Sequence, residues 1–475
     1  MQKPLWENSA RQLAELVRGG AVPAADVIEA HLDRISAVNP SVNAITAILS
    51  ESAREQARLL DSMRESGWPL GPLAGVPFTT KENIDVAGSA TTHGVPALKN
   101  AIAQRDAPMV EKLRRAGAIP IARTNLPDLS MRFHTFSSLH GATVNPWNAQ
   151  LSPGGSSGGE GVALATGMSA LGVGNDSGGS VRVPALFGGV ASLKPSYGRF
   201  AMDQTIGPRD LTLSSQLFPV NGLLARRIAD LRTAFHVLAE TDPRDPRVVP
   251  APVNGPVPVS PIRVAVCVDP GGQGVHKDVA AAVESAASAL RDAGYLIEYT
   301  DVPRLEEALE AYGRMIMTEF SLSWKMIERL IGPEGRRYIE FSMKHQSAVE
   351  LREYLGYTAL RQGIQRDWAE FLDRYPILLG PVFTEPAVTA GFDIAGLGEH
   401  EKVGRALRLC AASTFVGVPA VSVPVGVAGG LPQGVQLISS MYREDLCLQA
   451  GEEIESRLGT LTPIDPACSL PRAIA

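Results

Sequence analysis

The chain of 475 residues is predicted to form one large α/β domain, in which a central mixed, mostly parallel β-sheet is covered by helices on both faces. Three observations indicate this fold class. Helical patterns and apolar β-prone runs alternate along the chain. Hydrophobic residues make up 45% of the sequence and charged residues 20%, close to the averages for globular proteins. No internal repeat is visible. Length alone would also allow two or three smaller domains.

The first 70 residues carry helical patterns. Ser9 can cap a helix that runs to Gly19, and Pro23 can open a second helix. The segment ESAREQARLLDSMRES places its charges on one face of a third helix. We therefore expect residues 1–70 to form packing helices.

Residues 71–240 alternate between strand and helix. The short β-prone stretch VPFTTKENIDV places Lys81 near a strand, among apolar and small residues. A helical segment that starts near Arg105 leads into the apolar run AIPIA, which favours another strand. This part of the chain is expected to hold the core of the domain.

A proline-rich segment, residues 241–261, predicts an extended internal linker on the surface. Residues 262–475 are expected to complete the same sheet, because strand and helix patterns resume there. The strands are predicted at IRVAVCVD, LIEYTDV, PILLGPVF, PAVSVPVG and GVQLIS. Long helical patterns fill residues 305–374, and their Met and aromatic residues recur at the spacing of a buried helix face. If these helices lined a cleft, it would suit apolar groups.

Charge and hydropathy exclude several classes of protein. The 44 basic and 50 acidic residues give no electrostatic case for nucleic acid. No apolar run approaches the roughly 20 residues that span a bilayer, and the start of the chain lacks the apolar stretch of a signal peptide. We therefore expect a cytoplasmic protein that binds neither nucleic acid nor membrane.

The cysteine and histidine patterns give no support to a metal site. Cys267, Cys410, Cys447 and Cys468 lack C-x-x-C spacing, so we interpret them as structural thiols. The eight histidines are dispersed and contain no H-E-x-x-H pattern. We expect no metal or other cofactor.

Two glycine- and serine-rich loops, GGSSGGEG at 154–161 and GNDSGGSVRVP at 174–184, hold the best nucleophile candidates. A phosphate-binding loop would need a Lys-Ser or Lys-Thr pair after the glycines, and this pair is missing. Residues 154–158 match G-x-S-x-G, but a nucleophile elbow needs a preceding strand and the polar lead-in NPWNAQLSP is not one. A serine beside glycine is also a common turn residue.

These loops, followed by LKP, resemble the signature of the amidase signature family of serine hydrolases. The segments GPLAGVPFTTKENIDVAG, VNPWN, VGVPAVSVPVG and LPQGVQLI extend the resemblance over almost the whole chain. It implies one amidase signature domain over residues 1–475, with 71–240 as its catalytic core. It also implies that Ser180 is the nucleophile, that Ser156 is a bridging serine in a cis peptide, and that Lys81 is the base. Lysine is a base only when neutral, so burial must lower its pKa from about 10.4.

The resemblance extends to the groups around the nucleophile. The backbone N–H groups of Ser177, Gly178 and Gly179 are expected to form the oxyanion hole. Asp176 and Arg182 are expected to pair and to fix the shape of this loop.

Substrate-lining residues are harder to place from sequence. By analogy with the family, Ser130 and Met131 line the substrate cleft. His134 and His140, which lie nearby, are expected to have structural roles, and Ser157 is expected to shape its loop. Three departures from the family's common sequence are Asn175, where threonine is frequent, Ser177, and the pair Gly188-Gly189.

The resemblance implies an enzyme that hydrolyses the carbon–nitrogen bond of linear carboxylic amides through an acyl-enzyme on Ser180. Esters and carbamates can react through the same tetrahedral chemistry. Two alternatives stay open: a glutamine-hydrolysing subunit of an amidotransferase complex, and a catalytically silent binding protein. The segment MRFHTFSSLHG does not resemble those subunits. The ligand is expected to be a small molecule, and the oligomeric state is open, a homodimer included.

Overall fold

The computed structural model describes residues 3–208 and 210–467. Its helices are α1 (Ala10–Arg18), α2 (Ala24–Val42), α3 (Ser50–Glu65), α4 (Pro108–Arg115), α5 (Gly158–Ala165), α6 (Arg182–Gly188), α7 (Leu213–Leu217), α8 (Ile228–Leu238), α9 (Lys277–Asp292), α10 (Leu305–Ile327), α11 (Pro333–His345), α12 (Leu351–Arg374), α13 (Leu397–Ala406), α14 (Arg408–Val416) and α15 (Glu444–Leu458). Its strands are β1 (Ile45–Ile48), β2 (Pro77–Lys81), β3 (Ile119–Thr124), β4 (Phe136–Ser137), β5 (Gly141–Ala142), β6 (Leu171–Asp176), β7 (Ala191–Lys194), β8 (Val220–Ala225), β9 (Arg263–Val266), β10 (Leu296–Tyr299), β11 (Ile377–Pro381), β12 (Ala420–Ala428) and β13 (Leu431–Ile438).

Eleven of these strands form one sheet in the order β1-β3-β2-β6-β8-β7-β12-β13-β11-β9-β10. The predicted α/β domain with a mixed sheet is confirmed, but the expected parallel majority is wrong. Among the described strands, six of the ten pairings in this sheet are antiparallel. The hairpin of β12 and β13 shows one reason. Its two-residue turn, Gly429-Gly430, has positive φ at both positions and reverses the chain without a crossover helix.

Both faces of the sheet are covered by helices. Val264 and Val266 on β9 pack in the hydrophobic cluster that contains residues of α9 and α15, whereas Ala265 between them packs in the cluster that contains residues of α10 and α14. Successive side chains of a strand point to opposite faces, so the two clusters lie on opposite sides of the sheet.

The N-terminal segment contains the predicted helices and one strand that we did not predict. Ser9 caps α1 in a reciprocal capping box with Gln12, as the sequence indicates. β1 (Ile45–Ile48) pairs antiparallel with β3 at the edge of the sheet. It is only four residues long, and its ordering comes from that pairing, which no local pattern reveals.

The proline-rich segment 241–261 forms no helix or strand and connects α8 to β9. Beyond it, Met315 on α10 and Trp368 on α12 are completely buried, and the indole N–H of Trp368 donates to the carbonyl oxygen of Pro303 at 2.9 Å. These two side chains belong to the core rather than to a cleft. None of the described helices combines the length and the apolar character needed to cross a bilayer.

Of the four cysteines, Cys267, Cys410 and Cys447 are buried and unpaired, whereas Cys468 lies outside the described residues. Burial raises the pKa of Cys267 to about 12 and that of Cys410 to about 11. Both therefore stay as thiols at neutral pH, as expected of packing residues.

The parallel strands β2 and β6 position the site. They are neighbours in the sheet and end at the same edge. Lys81 is the last residue of β2, and Ser180 lies in the turn between β6 and α6. The loop before α5 holds Ser156. This edge is where an open parallel sheet commonly binds its ligand.

Candidate active site

The side chains of Lys81 and Ser156 are in direct contact, although 75 residues separate them. Lys81 Nζ lies 2.7 Å from Ser156 Oγ. Lys81 is 0% exposed and Ser156 1%. The peptide bond between Gly155 and Ser156 is cis. A buried amine and a buried hydroxyl at this distance can exchange a proton.

The amine of Lys81 lies in an environment that favours its neutral form. Burial lowers its pKa from 10.5 to about 7, while the negative charges of Asp176 and Glu160 oppose this change. Among the described residues, no carboxylate lies within ion-pair distance of Nζ. A large fraction of this lysine is therefore neutral near pH 7, as a general base requires.

Ser180 is the most accessible of the three predicted catalytic residues, with 9% of its surface exposed. Its hydroxyl makes no hydrogen bond to any described residue. Its carbonyl oxygen accepts the backbone N–H of Ser157 at 3.1 Å, which joins the two serine loops. Ser180 follows strand β6 and precedes helix α6, whereas Ser156 lies in the loop before α5.

The loop that carries Ser180 is held by the buried ion pair of Asp176 and Arg182. The guanidinium binds the carboxylate through two contacts, Nη2 to Oδ1 at 2.9 Å and Nε to Oδ2 at 3.0 Å. Both side chains are 0% exposed. Burial alone would raise the pKa of Asp176, but the charge and hydrogen bonds of Arg182 hold it well below its usual range. The expected pair is present, and its charges are compensated at the loop.

The same carboxylate also binds the turn itself. Asp176 Oδ1 accepts the backbone N–H groups of Gly178 at 3.0 Å and Gly179 at 2.7 Å, and Oδ2 accepts that of Val181 at 3.1 Å. Gly179 adopts a φ of +125°, which favours glycine. Two of the three predicted oxyanion donors therefore already have a partner in this structure.

Tyr312 on α10 covers the turn from the other side. Its hydroxyl donates to the carbonyl oxygen of Ser177. A Cβ atom on Gly178 would lie 2.7 Å from Tyr312 Oη. A side chain at 178 would therefore collide with Tyr312 unless the tyrosine moves.

Comparison with known proteins assigns the family. The family model described as Amidase matches residues 26–448, which is most of the chain. The chain belongs to the amidase signature family. It is an amide-hydrolysing enzyme, so the predicted family and reaction class are both confirmed.

Two curated relatives cover almost all of this amidase. An indoleacetamide hydrolase from Bradyrhizobium diazoefficiens is 40% identical over 460 residues, which cover 96% of this chain and 88% of the relative. A glutamyl-tRNA(Gln) amidotransferase subunit from Salinispora tropica is 31% identical, over 97% of this chain and 99% of the relative. A solved structure of 6-aminohexanoate cyclic dimer hydrolase with its substrate superimposes with a TM-score of 0.82 at 28% identity, covering 98% of this chain and 99% of that chain.

The charged neighbours of Lys81 in sequence are turned away from its amine. Glu82 accepts hydrogen bonds from the hydroxyls of Thr46 and Thr92 and lies 2.9 Å from Nε2 of His140. The carboxyl of Asp85 accepts the backbone N–H of Thr205 at 2.5 Å.

Among the described residues, Ser130, Met131 and His134 make no hydrogen bond to the side chains of the three catalytic candidates. Ser130 accepts a hydrogen bond from Asn83 Nδ2 at 3.0 Å, and both Ser130 and Met131 are half-buried. His134 lies 3.2 Å from Ser152 Oγ, and burial lowers its pKa to about 4. Ser157 Oγ donates to the carbonyl oxygen of Asn175 at 3.4 Å, a loop-shaping role.

Sequence reasoning missed three residues at this amidase site. Asn175 Oδ1 lies 2.7 Å from Lys81 Nζ. Glu160 on α5 is completely buried and accepts hydrogen bonds from Thr79 and Thr124, and burial raises its pKa to about 7. Tyr312 contacts Ser177, in the loop that carries Ser180, from 135 residues away. Only Asn175 had a sequence signal, its departure from threonine.

A small apolar cavity of about 10 Å³, enough for about one water molecule, adjoins both serine loops. Ser152 in its wall accepts the backbone N–H of Gly154 at 3.1 Å, and Val183 in its wall donates its own N–H to the Gly179 carbonyl oxygen at 2.8 Å. Four aromatic rings line the cavity: Phe133, Phe187, Phe383 and Phe392. Such a lining favours apolar groups.

Proposed function

We propose that Ser180 is the nucleophile of this amidase and that Ser156 and neutral Lys81 activate it. The observation that carries the proposal is the 2.7 Å contact between the buried Lys81 amine and Ser156 Oγ. Serine hydroxyls are weak nucleophiles until a base removes their proton. An amine whose pKa is about 7 can accept that proton at neutral pH.

The proposed reaction moves one proton along the three residues. Ser180 Oγ attacks the amide carbonyl carbon while its proton passes to Ser156, whose own proton passes to Lys81. Collapse of the tetrahedral intermediate breaks the carbon–nitrogen bond, and the proton returns through Ser156 to the leaving amine. Water then attacks the acyl-enzyme ester by the same route, releasing the carboxylic acid and restoring Ser180.

For the oxyanion we propose the backbone N–H groups of Ser177, Gly178 and Gly179. Each such donor contributes about 10²–10³ in rate when it faces the developing charge. Because Gly178 and Gly179 donate to Asp176 in the resting protein, the oxyanion has to share these two N–H groups with the carboxylate. The charge of Arg182 offsets the repulsion between the two anions.

We propose a small apolar carboxamide as the substrate, with an arylacetamide such as indoleacetamide as the first candidate. Two relatives, 40% and 36% identical, carry the name indoleacetamide hydrolase. The phenylalanine rings beside the serine loops favour contact with an aryl group, which the small cavity between them would admit only after these side chains move. Ser130 and Met131 are proposed to line the substrate cleft. Esters and carbamates of similar shape are proposed as secondary substrates.

The test uses the isolated chain and four amides: indoleacetamide, phenylacetamide, a linear aliphatic amide and glutamine. We expect hydrolysis of the two arylacetamides, no glutaminase activity, and no activity in the Ser180→Ala variant. Preference for the aliphatic amide would overturn the substrate proposal. Retained activity in Ser180→Ala would overturn the mechanism.

The amidotransferase alternative has a specific basis in the relatives that are about 31% identical over nearly the whole chain. It predicts glutamine hydrolysis that depends on a protein partner, so rapid glutamine turnover by the isolated chain would contradict both this alternative and the arylacetamide proposal.

A catalytically silent binding protein would leave Ser180 unlabelled by a fluorophosphonate, whereas our proposal predicts labelling at this residue. Size-exclusion chromatography distinguishes a monomer from a homodimer, since the oligomeric state is open.

A further inference from the structure

Asn175 is the second hydrogen-bond partner of the Lys81 amine. Its Oδ1 lies 2.7 Å from Nζ, the same distance as Ser156 Oγ. Asn175 is half-buried near the end of β6, next to Asp176. The amine therefore lies between two uncharged oxygen atoms that differ in their chemistry.

The amide oxygen can only accept a hydrogen bond, whereas a hydroxyl can accept or donate. A neutral amine has two N–H groups and one lone pair. When one N–H is committed to Asn175, the lone pair cannot point toward residue 175. Of the three staggered positions about the Cε–Nζ bond, one then holds an N–H toward Asn175, and the lone pair occupies one of the other two, of which one faces Ser156. A threonine at 175 could donate to the lone pair and occupy it.

The charge of residue 175 also matters, because charged groups of both signs lie around Lys81. The charged and titratable groups that face it from the surrounding elements are Glu160 on α5, Asp176 on β6, Arg123 on β3 and His93. Arg123 Nη2 donates to the Lys81 carbonyl oxygen at 3.2 Å. The adjacent Glu82 is turned away from the amine. A neutral amide adds an acceptor without adding another negative charge. A carboxylate at the same position would stabilise the ammonium form.

We propose that Asn175 is a positioning residue that orients the Lys81 amine so that its lone pair serves Ser156, and that it does so without charge. The inference rests on the proposed role of Lys81 as the base. Asn175 acts through Lys81 and does not touch the reacting atoms.

The test compares Asn175→Asp, Asn175→Ala and Asn175→Thr by the pH dependence of Ser180 labelling with a fluorophosphonate, which needs no knowledge of the natural substrate. The isosteric aspartate should move the acid limb of the profile to higher pH by about one unit or more, because an opposite charge lies within contact of the amine. Alanine should lower the labelling rate about tenfold by releasing the orientation. Threonine should label faster than alanine but slower than wild type.

The control is Asn221→Asp on β8, opposite Asn175 in the β6–β8 register. It places the same charge one strand away and should shift the acid limb less. An equal shift in the two aspartate variants, or an unshifted profile in Asn175→Asp, would overturn the inference. Thermal unfolding verifies that each variant is folded. If Asn175→Asp or Asn175→Ala does not fold, the labelling rate of Asn175→Thr is still compared with that of the wild type.

The proposed function and the role of Asn175 can be refuted separately. If Lys81→Ala and Ser180→Ala keep wild-type amide turnover, the mechanism itself is wrong. If both are inactive while the Asn175 variants keep the wild-type profile and rate, only the role of Asn175 is wrong.

Discussion

The pH dependence of stability provides a test of the Lys81 environment that needs no substrate. The perturbation is Lys81→Met, which removes the amine and keeps an apolar side chain of similar length. In the folded protein, burial lowers the pKa of Lys81 from 10.5 to about 7. The unfolded chain therefore binds more protons than the folded chain between about pH 7 and about pH 10.5. Wild-type stability should rise with pH across this window.

The size of the effect follows from the two pKa values. The difference between 10.5 and about 7 corresponds to about 5 kcal/mol of destabilisation in acid, all of which disappears above the unfolded pKa. Between about pH 7 and about pH 9 the wild type should recover about 2 kcal/mol relative to Lys81→Met. Methionine also leaves Ser156 Oγ and Asn175 Oδ1 without their shared partner, at about 1–3 kcal/mol each. That loss does not vary with the titration of Lys81 and cancels from the comparison.

The assay is urea unfolding of wild type and Lys81→Met at several pH values across this range. Lys99→Met, at an exposed lysine, controls for the loss of a surface charge. The free-energy difference between wild type and Lys81→Met should change in favour of the wild type as the pH rises. A difference that stays constant within about 0.5 kcal/mol from about pH 7 to about pH 9 would refute the reasoning, because the amine would then have the same pKa in both states.

Three further predictions concern the loop and the reaction. The kcat/KM of the wild type should rise about tenfold per pH unit in acid and level off above about pH 7, because only neutral Lys81 is a base; a profile that falls over this range would exclude the mechanism. Gly178→Ala should lower amide turnover, since its Cβ would lie 2.7 Å from Tyr312 Oη. Adding Tyr312→Phe should restore part of the lost turnover in the double variant. If the double variant is no more active than Gly178→Ala, the loss comes from another contact. Arg182→Met leaves Asp176 buried without its partner and should reduce the unfolding free energy by about 3–5 kcal/mol, measured in urea; a change below about 0.5 kcal/mol would contradict the role of the pair.

Local chemistry in the sequence was sufficient to predict many of the described helices and strands. The capping residue Ser9 of α1, for example, is decided by neighbours in the chain. β1 (Ile45–Ile48) was missed because its stability comes from pairing with β3, about 75 residues further on. The antiparallel majority was missed for the same reason, since strand direction depends on how distant segments meet.

The residues of the candidate site also differ in whether the sequence alone could identify them. Lys81, Ser156 and Ser180 could be named because they lie in recognisable local segments, and their roles stay predictions that the proposed experiments test. Asn175 and Tyr312 could not be assigned, because each acts on a residue far away in the sequence. A side chain's partner is a property of the fold, not of its own segment.

The sequence by itself determined the family, the class of reaction and the residues that are candidates for it, because the resemblance to the amidase signature lies in contiguous segments of the chain. Only the tertiary structure decided that the Lys81 amine is completely buried between Ser156 and Asn175 and that its pKa falls to about 7. The physical reason is that desolvation and hydrogen bonding depend on all the atoms around a group, and these come from strands and helices that are distant along the chain.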